Sequence, residues 1–282
     1  MAHQLYAKGM LHKVLDPAVI KYRAHQAKVR KFQPKLRMSI DTERYIIQTA
    51  QTQDEFEAVL RLRYEVFIRE GLKKKWPIRV DVDTYDFLAD HLLIIDRASQ
   101  QIVGTYRLIS SSFSKSFYSE SEFFMPVLKE LDGNVLELGR ACTAAGFRSG
   151  MAIALLWKGI GRYIQETQSK YLFGCASIKV TQPQEIAQIL RYFQDQNVLD
   201  LEARVHPRPR FEVAGLRDLI SQTESNPALE DKIPGLMKSY FKVGARILGM
   251  PALDKQFQCA DFLTLLDTAS IAGAYEKKYL NS

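Results

Sequence analysis

A chain of 282 residues, 46% hydrophobic and 25% charged, can bury a full core, which excludes a disordered chain. No uninterrupted apolar run reaches the roughly 20 residues a membrane span needs, and no apolar N-terminal segment precedes a small-residue cleavage site, so a cytoplasmic protein is expected. The net charge of +7 sits at one end: residues 1–37 hold nine lysines and arginines against Asp16 alone, leaving 30 bases and 31 acids in the other 245 residues.

That basic arm, taken as residues 1–42, carries Leu11, Val14, Leu15, Ala18 and Ile20 at partly helical spacing. Such a segment suits an anionic membrane surface, an acidic protein, or a solvated tail that caps the fold. It does not suit specific nucleic-acid recognition, which needs a groove-reading element or a series of stacking aromatics. Residues 43–282 read as one α/β domain.

Within it, "TQDEFEAVLRLRYEVFIREG" (52–71) predicts an amphipathic helix with Asp54 as N-cap, and Arg63 falls inside its apolar stripe. The loop "RVDVDTYDFLADH" supplies Asp81, Asp83, Asp86 and Asp90. "LLIID" and "IVGTYRLIS" predict consecutive strands, with Arg107 on the face of Val103 and Thr105, and His91 as a hydrogen-bonded histidine at a strand end. The stretch from "NVLELGRACT" through the helix "GMAIALLWKGIGRYIQE" to "KYLFGCASI" is a strand–helix–strand crossover, which implies a parallel pair in a mixed sheet. Further on, "QPQEIAQILRYFQDQ" is helical, "RVHPRPRF" is a loop, "LEDKIPGLMKSYFKVGARILG" holds another helix and "CADFLTLLD" a late strand.

Glu137 and Arg140 interrupt an apolar strand, and burying either charge unpaired costs several kcal/mol. Strict alternation puts them on opposite faces, and a bulge at Gly139 would bring them together. With Arg63, Arg107 and the aspartates they form either a structural ion-pair network or the lining of one cleft. The turn "AAGFRSG" before a helix offers free N–H groups to an anion. No Walker A, GxGxxG or GxSxG pattern is present, the histidines lack metal-ligand spacing so no metal is expected, and Cys142, Cys175, Cys259 and Trp157 read as core residues.

The ordered blocks "RLRYEVF", "RVDVDTYDFLADHLLIID", "IVGTYRLI", "LELGRACTAAGFRSG", "FGCASI" and "PGLMKSYFKVGARILGMPALDKQFQCADFLTLL" resemble the acyl-carrier-protein-dependent N-acyltransferases of the GNAT superfamily, of the ornithine-lipid type. Acyl-homoserine lactone synthases share the earlier blocks, and the last two favour the ornithine-lipid branch. The resemblance implies a mixed sheet with splayed parallel central strands flanked by helices. It also implies transfer of a long-chain, 3-hydroxylated acyl group from acyl carrier protein to the α-amine of an amino acid, ornithine, with no bound cofactor and the 4'-phosphopantetheine thioester as co-substrate.

In that reading Glu137 is the base or the group positioning it, and Arg140 lines the same gap, with a backbone N–H after Gly139 holding the oxyanion. Arg63 and Arg107 bind the substrate carboxylate or organise the aspartates, while Asp81, Asp83 and Asp86 hold the cationic amino acid or order a lid. Phe147, Arg148, Ser149 and Gly150 meet the pantetheine phosphate. Arg148, Lys158 and Arg162 would dock an acidic carrier protein, residues 1–37 would keep the enzyme at the inner membrane face, and a second, O-acylating transferase would take the product. The other readings are an autoinducer-type or other N-acyl amino acid synthase, and a non-catalytic module that binds acyl carrier protein or membrane.

Overall fold

The computed structural model describes residues 26–271 apart from 27, 77 and 225. The apolar positions 11–20 of the basic arm lie outside them. Residues 28–37 pack on the domain: Val29 and Phe32 are buried, Phe32 stacks on Phe56 with ring centroids 4.3 Å apart, and the backbone N–H groups of Lys35 and Leu36 donate to Asp90. The first strand, β1 (Ser39–Asp41), pairs with β2 (Tyr45–Thr49), so the ordered domain begins before residue 43.

The helix α1 (Gln53–Arg63) starts two residues before the point that Asp54 predicts. Thr52 caps it through a reciprocal box, its hydroxyl accepting from the Glu55 N–H while the Glu55 carboxylate accepts from the Thr52 N–H. Asp54 then lies in the first turn, where the helix dipole favours it. The chain continues from α1 as a π-helix over Tyr64–Gly71. Strands β3 (Asp90–Asp96) and β4 (Gln101–Ser110) follow, then the two-residue β5 (Phe123–Phe124) and β6 (Asn134–Thr143). Helix α2 (Gly150–Thr167) leads to β7 (Ser169–Ile178), and α3 (Pro183–Asp195) to β8 (Leu199–Asp200). The Pro-rich segment read as loop includes a two-residue strand, β9 (His206–Pro207), paired with β5. The chain ends with α4 (Leu216–Ser221), α5 (Gly235–Lys242), β10 (Arg246–Leu248), β11 (Ala252–Asp254) and β12 (Cys259–Asp267).

Ten strands form one sheet in the order β1-β2-β3-β4-β6-β7-β12-β10-β8, with β11 on β12. Among the described residues only β6 with β7 and β8 with β10 run parallel. Because β12 pairs with β7 over eight residues, the C-terminal third extends this sheet rather than forming a unit of its own. Alternation along β3 defines the layers. Leu92 and Ile94 pack with Leu156 and Ile160 of α2, while Leu93 packs on the other face with Phe56, Val59 and Leu60 of α1. Helix α3 covers the α2 face further along, Ile186, Leu190 and Phe193 meeting Ile178 and Phe262. Gly159 lets α2 lie close to the sheet, since a Cβ there would stand 2.7–2.8 Å from Leu92 and Ile47.

The parallel strands part at the centre. Their pairing runs from Asn134 with Ser169 to Glu137 with Phe173 and stops. Beyond that, β7 follows β12, and β6 follows β4 through a bulge: Arg107 faces Gly139 and Thr105 faces Cys142, which leaves Arg140 and Ala141 opposite Tyr106. The extra residue falls at Arg140, with φ of 54°, one place later than the expected Gly139. At the fork a Cβ on Gly174 would stand 2.2 Å from the Leu138 carbonyl oxygen, so only glycine permits the close contact from which the strands diverge.

Candidate active site

The expected convergence of charges occurs behind this fork. Arg63, fully buried from α1, donates to Asp81 (Nε–Oδ2 2.9 Å) and Asp86 (Nη1–Oδ1 2.6 Å). Arg107, buried on β4, donates to Asp83 at 2.8 Å and Asp86 at 3.2 Å, and Arg140 reaches Asp83 at 3.4 Å and Asp81 at 3.7 Å. Three guanidinium groups thus neutralise three carboxylates. The aspartates are held by their own turn, in which Asp83 caps the Tyr85 N–H and Asp86 accepts from the Asp83 N–H. Burial pushes Asp83 up, but Arg107, Arg140 and Arg63 outweigh it and hold the carboxyl well below the usual carboxylate range. Asp81 moves down in the same way, with Arg63 the main counterweight to burial. Burial opposes the charge on Arg63, and Asp81 and Asp86 more than restore it. Of the two roles open to Arg63 and Arg107, organising the aspartates is the one these bonds perform.

His91 anchors the turn through a 3.0 Å contact of Nε2 with the Asp86 carbonyl. That contact makes it the hydrogen-bonded histidine expected, though at one ring nitrogen only: Nδ1 has no hydrogen-bond partner, and burial lowers the ring pKa to about 4. The imidazole is therefore neutral, and it packs on Phe56.

Glu137 and Arg140 face a cavity of about 310 Å³ that runs through the fork, lined by Leu138–Ala141 on one side and Gly174–Ser177 on the other. Three donors grip the buried Glu137 carboxylate: the Tyr118 N–H (2.6 Å), the Ser119 N–H (2.6 Å) and the Ser119 hydroxyl (2.5 Å). Burial raises its pKa, opposed by Ser119, Arg107 and the Tyr118 N–H. On the α2 side the cavity continues as an apolar limb along Trp157, Leu172, Met237 and Leu266, with Tyr106 and Tyr240 joined hydroxyl to hydroxyl. Trp157 is thus a cavity wall as well as a core residue.

A second cavity, about 450 Å³, opens on the other side of the fork. Tyr118, Arg140, Asp254 and Phe257 border both. At this junction lies a carboxylate group that the chain's local patterns do not announce: oxygens of Glu122, Asp254 and Asp261 all stand within 4.8 Å of one another. Tyr118 donates to Glu122 Oε1 at 2.6 Å, the Cys175 thiol lies 3.6 Å from Oε2, and the Ser177 hydroxyl donates to Asp261. Among the described residues no lysine or arginine nitrogen comes within 4.0 Å of the three. Burial, then Asp261, pushes Glu122 up to about 8. The donor set suits a cationic ammonium. Asp261 could have been found by the rule that found Glu137, a charge inside a buried strand. Glu122, in "YSESEFF", reads as a solvated turn residue.

The turn after β6 keeps Phe147, Arg148, Ser149 and Gly150 at the start of α2. Arg148 is exposed and paired with Glu70, and Ser149 is the N-cap residue but makes no side-chain cap bond.

Residues 62–158, which carry this network, match the family model described as an acetyltransferase (GNAT) domain. Over 246 residues the chain is 32% identical to the L-ornithine N(alpha)-acyltransferase of Rhizobium meliloti (strain 1021), covering 82% of each chain. A second L-ornithine N(alpha)-acyltransferase, from Agrobacterium fabrum, is 31% identical over 82% of this chain and 83% of its own. The chain belongs to this family. It is a GNAT-type acyltransferase, and its forked mixed sheet is the GNAT fold expected from the sequence. Among solved structures, FeeM, an N-acyl amino acid synthase from uncultured soil microbes, superposes with a TM-score of 0.48 at 12% identity, covering 83% of this chain and 96% of that one. The aligned GNAT segment of this L-ornithine N(alpha)-acyltransferase family member includes Glu122, Glu137 and Arg140, whereas Asp254 and Asp261 come from beyond it.

Proposed function

We propose that the protein transfers a long-chain, 3-hydroxylated acyl group from the phosphopantetheine thioester of acyl carrier protein to the α-amine of ornithine. The observation that carries this reading is the fork between β6 and β7, open to an apolar limb on one side and to an acid-lined cavity on the other. The limb suits an acyl chain, the acid-lined cavity suits an amine that is cationic in water, and the thioester carbonyl between them meets both. The relatives' names supply the acceptor.

The thioester is a substrate, and the chain's residues need only orient it. The exposed start of α2 at Ser149 and Gly150 suits the pantetheine phosphate, because free N–H groups and the helix dipole favour an anion. Phe147 and Arg148 flank that turn, and Arg148, Lys158 and Arg162 steer the acidic carrier protein. Attack by the neutral amine makes a tetrahedral oxyanion, for which the backbone N–H following Gly139 is the donor; the bulge leaves Arg140 without an assigned β4 partner. Glu137 and Arg140 shape the wall at this point. The product keeps a free carboxylate and one long chain, a lyso-lipid that an O-acyltransferase would complete. We assign the basic residues before position 26 to the inner face of the cytoplasmic membrane; among the described residues no helix is long and apolar enough to cross one.

Mass spectrometry of the purified protein, incubated with acyl carrier protein bearing hydroxylated or plain chains and a pool of amino acids, tests the reading. Amide-linked acyl-ornithine is the expected product. No amide from a carrier protein verified as loaded would overturn it.

A further inference from the structure

We propose that Glu122, held beside Asp254 and Asp261 where the two cavities meet, takes the proton from the acceptor amine, and that Glu137 is a positioning residue for it. The inference rests on the acyl-transfer reading above and deepens it.

The hydrogen bonds separate the two glutamates. Glu137 accepts from three protein donors, two on Oε1 and one on Oε2, which fill three of the roughly four acceptor sites of a carboxylate and fix its orientation, whereas Glu122 accepts from the Tyr118 hydroxyl and has the Cys175 thiol, at 3.6 Å, beside its other oxygen. Those donors belong to Tyr118 and Ser119, the residues that touch the other group: the Tyr118 hydroxyl donates to Glu122, and the Ser119 hydroxyl stands 3.3 Å from the Cys175 thiol beside it. Glu137 therefore sets the turn that places Glu122.

Charge gives the second argument. The network of Arg63, Arg107 and Arg140 is already neutralised by Asp81, Asp83 and Asp86. Arg140, which borders both cavities, is turned to those aspartates and lies over the Phe257 ring at 4.8 Å, and Arg210 on the rim of the second cavity is exposed and donates to the Ser121 carbonyl. Among the described residues the trio thus forms no ion pair within 4.0 Å at the place where an amine entering through the 450 Å³ cavity would meet the fork. Besides Tyr118 and Cys175, the titratable groups near the trio are Cys259, whose thiol lies 3.8 Å from both oxygens of Asp261, Lys179, which lines the first cavity and donates to the Phe257 carbonyl, and Lys255, which lines the second.

The steps balance. The ammonium gives one proton to Glu122, the freed amine attacks the thioester carbonyl, and the tetrahedral species expels the thiolate. The N–C bond forms and the C–S bond breaks; the second amine proton goes to the departing sulfur, and the first returns from Glu122 to solvent. Burial and the neighbouring Asp261 raise Glu122 to about 8, which matches a base working near neutral pH. Its ionised fraction, and with it the rate, rises as pH rises through that value.

The test uses the full chain, loaded acyl carrier protein, and two acceptors: ornithine, and ornithine amide, whose α-amine is less basic. Glu122→Gln is expected to lose about 10²–10⁴-fold in kcat with ornithine, to lose the ascending limb of the pH profile, and to be partly rescued by the amide. Glu137→Gln is expected to slow turnover while keeping that limb. Asp261→Asn, which removes one of the charges raising Glu122, is expected to move the limb to lower pH and serves if Glu122→Gln does not fold. A wild-type pH profile in Glu122→Gln, an unmoved limb in Asp261→Asn, or loss of the limb in Glu137→Gln alone would each overturn the assignment while leaving acyl transfer standing. No amide from the wild type would overturn the transfer reading and this one with it.

Discussion

Arg63 bridges two aspartates from a fully buried position through Nε, Nη1 and Nη2, a planar fork of donors that a lysine's single ammonium does not reproduce. Arg63→Ala leaves Asp81 and Asp86 short of a partner in a buried space. We expect a loss of about 3–5 kcal/mol in urea unfolding, with activity lost because the turn carrying Asp83 is released. The same network sets an acid limit. The folded pKa values of Asp81 and Asp83 lie below the unfolded value of about 3.9, so their stabilisation is complete above that pH and fades as pH falls below it. Glu122 has the opposite sign: its folded pKa is raised, so its contribution favours the native state at low pH and is lost as pH rises from about 4.3 toward 8. Thermal midpoints measured against pH should fall on both sides of a mildly acidic maximum, and Glu122→Gln should flatten the alkaline side only.

At the scale of elements, the fork depends on one absent methyl group. Gly174→Ala places a Cβ 2.2 Å from the Leu138 carbonyl, and since both partners are backbone neither side can rotate away. We expect a loss of about 1–3 kcal/mol and a collapse of acyl transfer as the strands shift. Gly146, in the turn read as an anion site, has nothing within 4 Å of where an added Cβ would stand, so Gly146→Ala should change stability by less than about 0.5 kcal/mol. Unfolding curves of the two variants side by side decide this. Helix α1 was legible because its apolar spacing is regular, yet its change to π-winding at Tyr64 was not, since nothing in the side-chain pattern of "YEVF" forbids a continued α-helix.

For the whole molecule, the basic excess divides in two. Lys28, Arg30, Lys31, Lys35 and Arg37 belong to a segment packed on α1 and β3, and removing it would expose Phe56 and leave Asp90 with the Tyr163 hydroxyl alone. Lys8, Lys13, Lys21 and Arg23 precede it. Deleting residues 1–25 should abolish flotation with anionic liposomes. Undiminished flotation would show that membrane binding, where it exists, resides in the domain.

The sequence by itself determined the main helices and strands, the parallel crossover and the participation of Arg63, Arg107, Glu137 and Arg140 in a buried site, because a charge on an apolar stripe is a local signal with few physical explanations. Tertiary structure decided what those charges do. Which carboxylate each arginine binds depends on distances between α1, β4, β6 and an intervening loop, and no spacing along the chain encodes them. The Glu122, Asp254 and Asp261 group arises only where a turn, β11 and β12 meet beside the fork. Its members stand up to 139 positions apart, so their mutual repulsion, which helps Glu122 keep its proton, exists only in the folded chain.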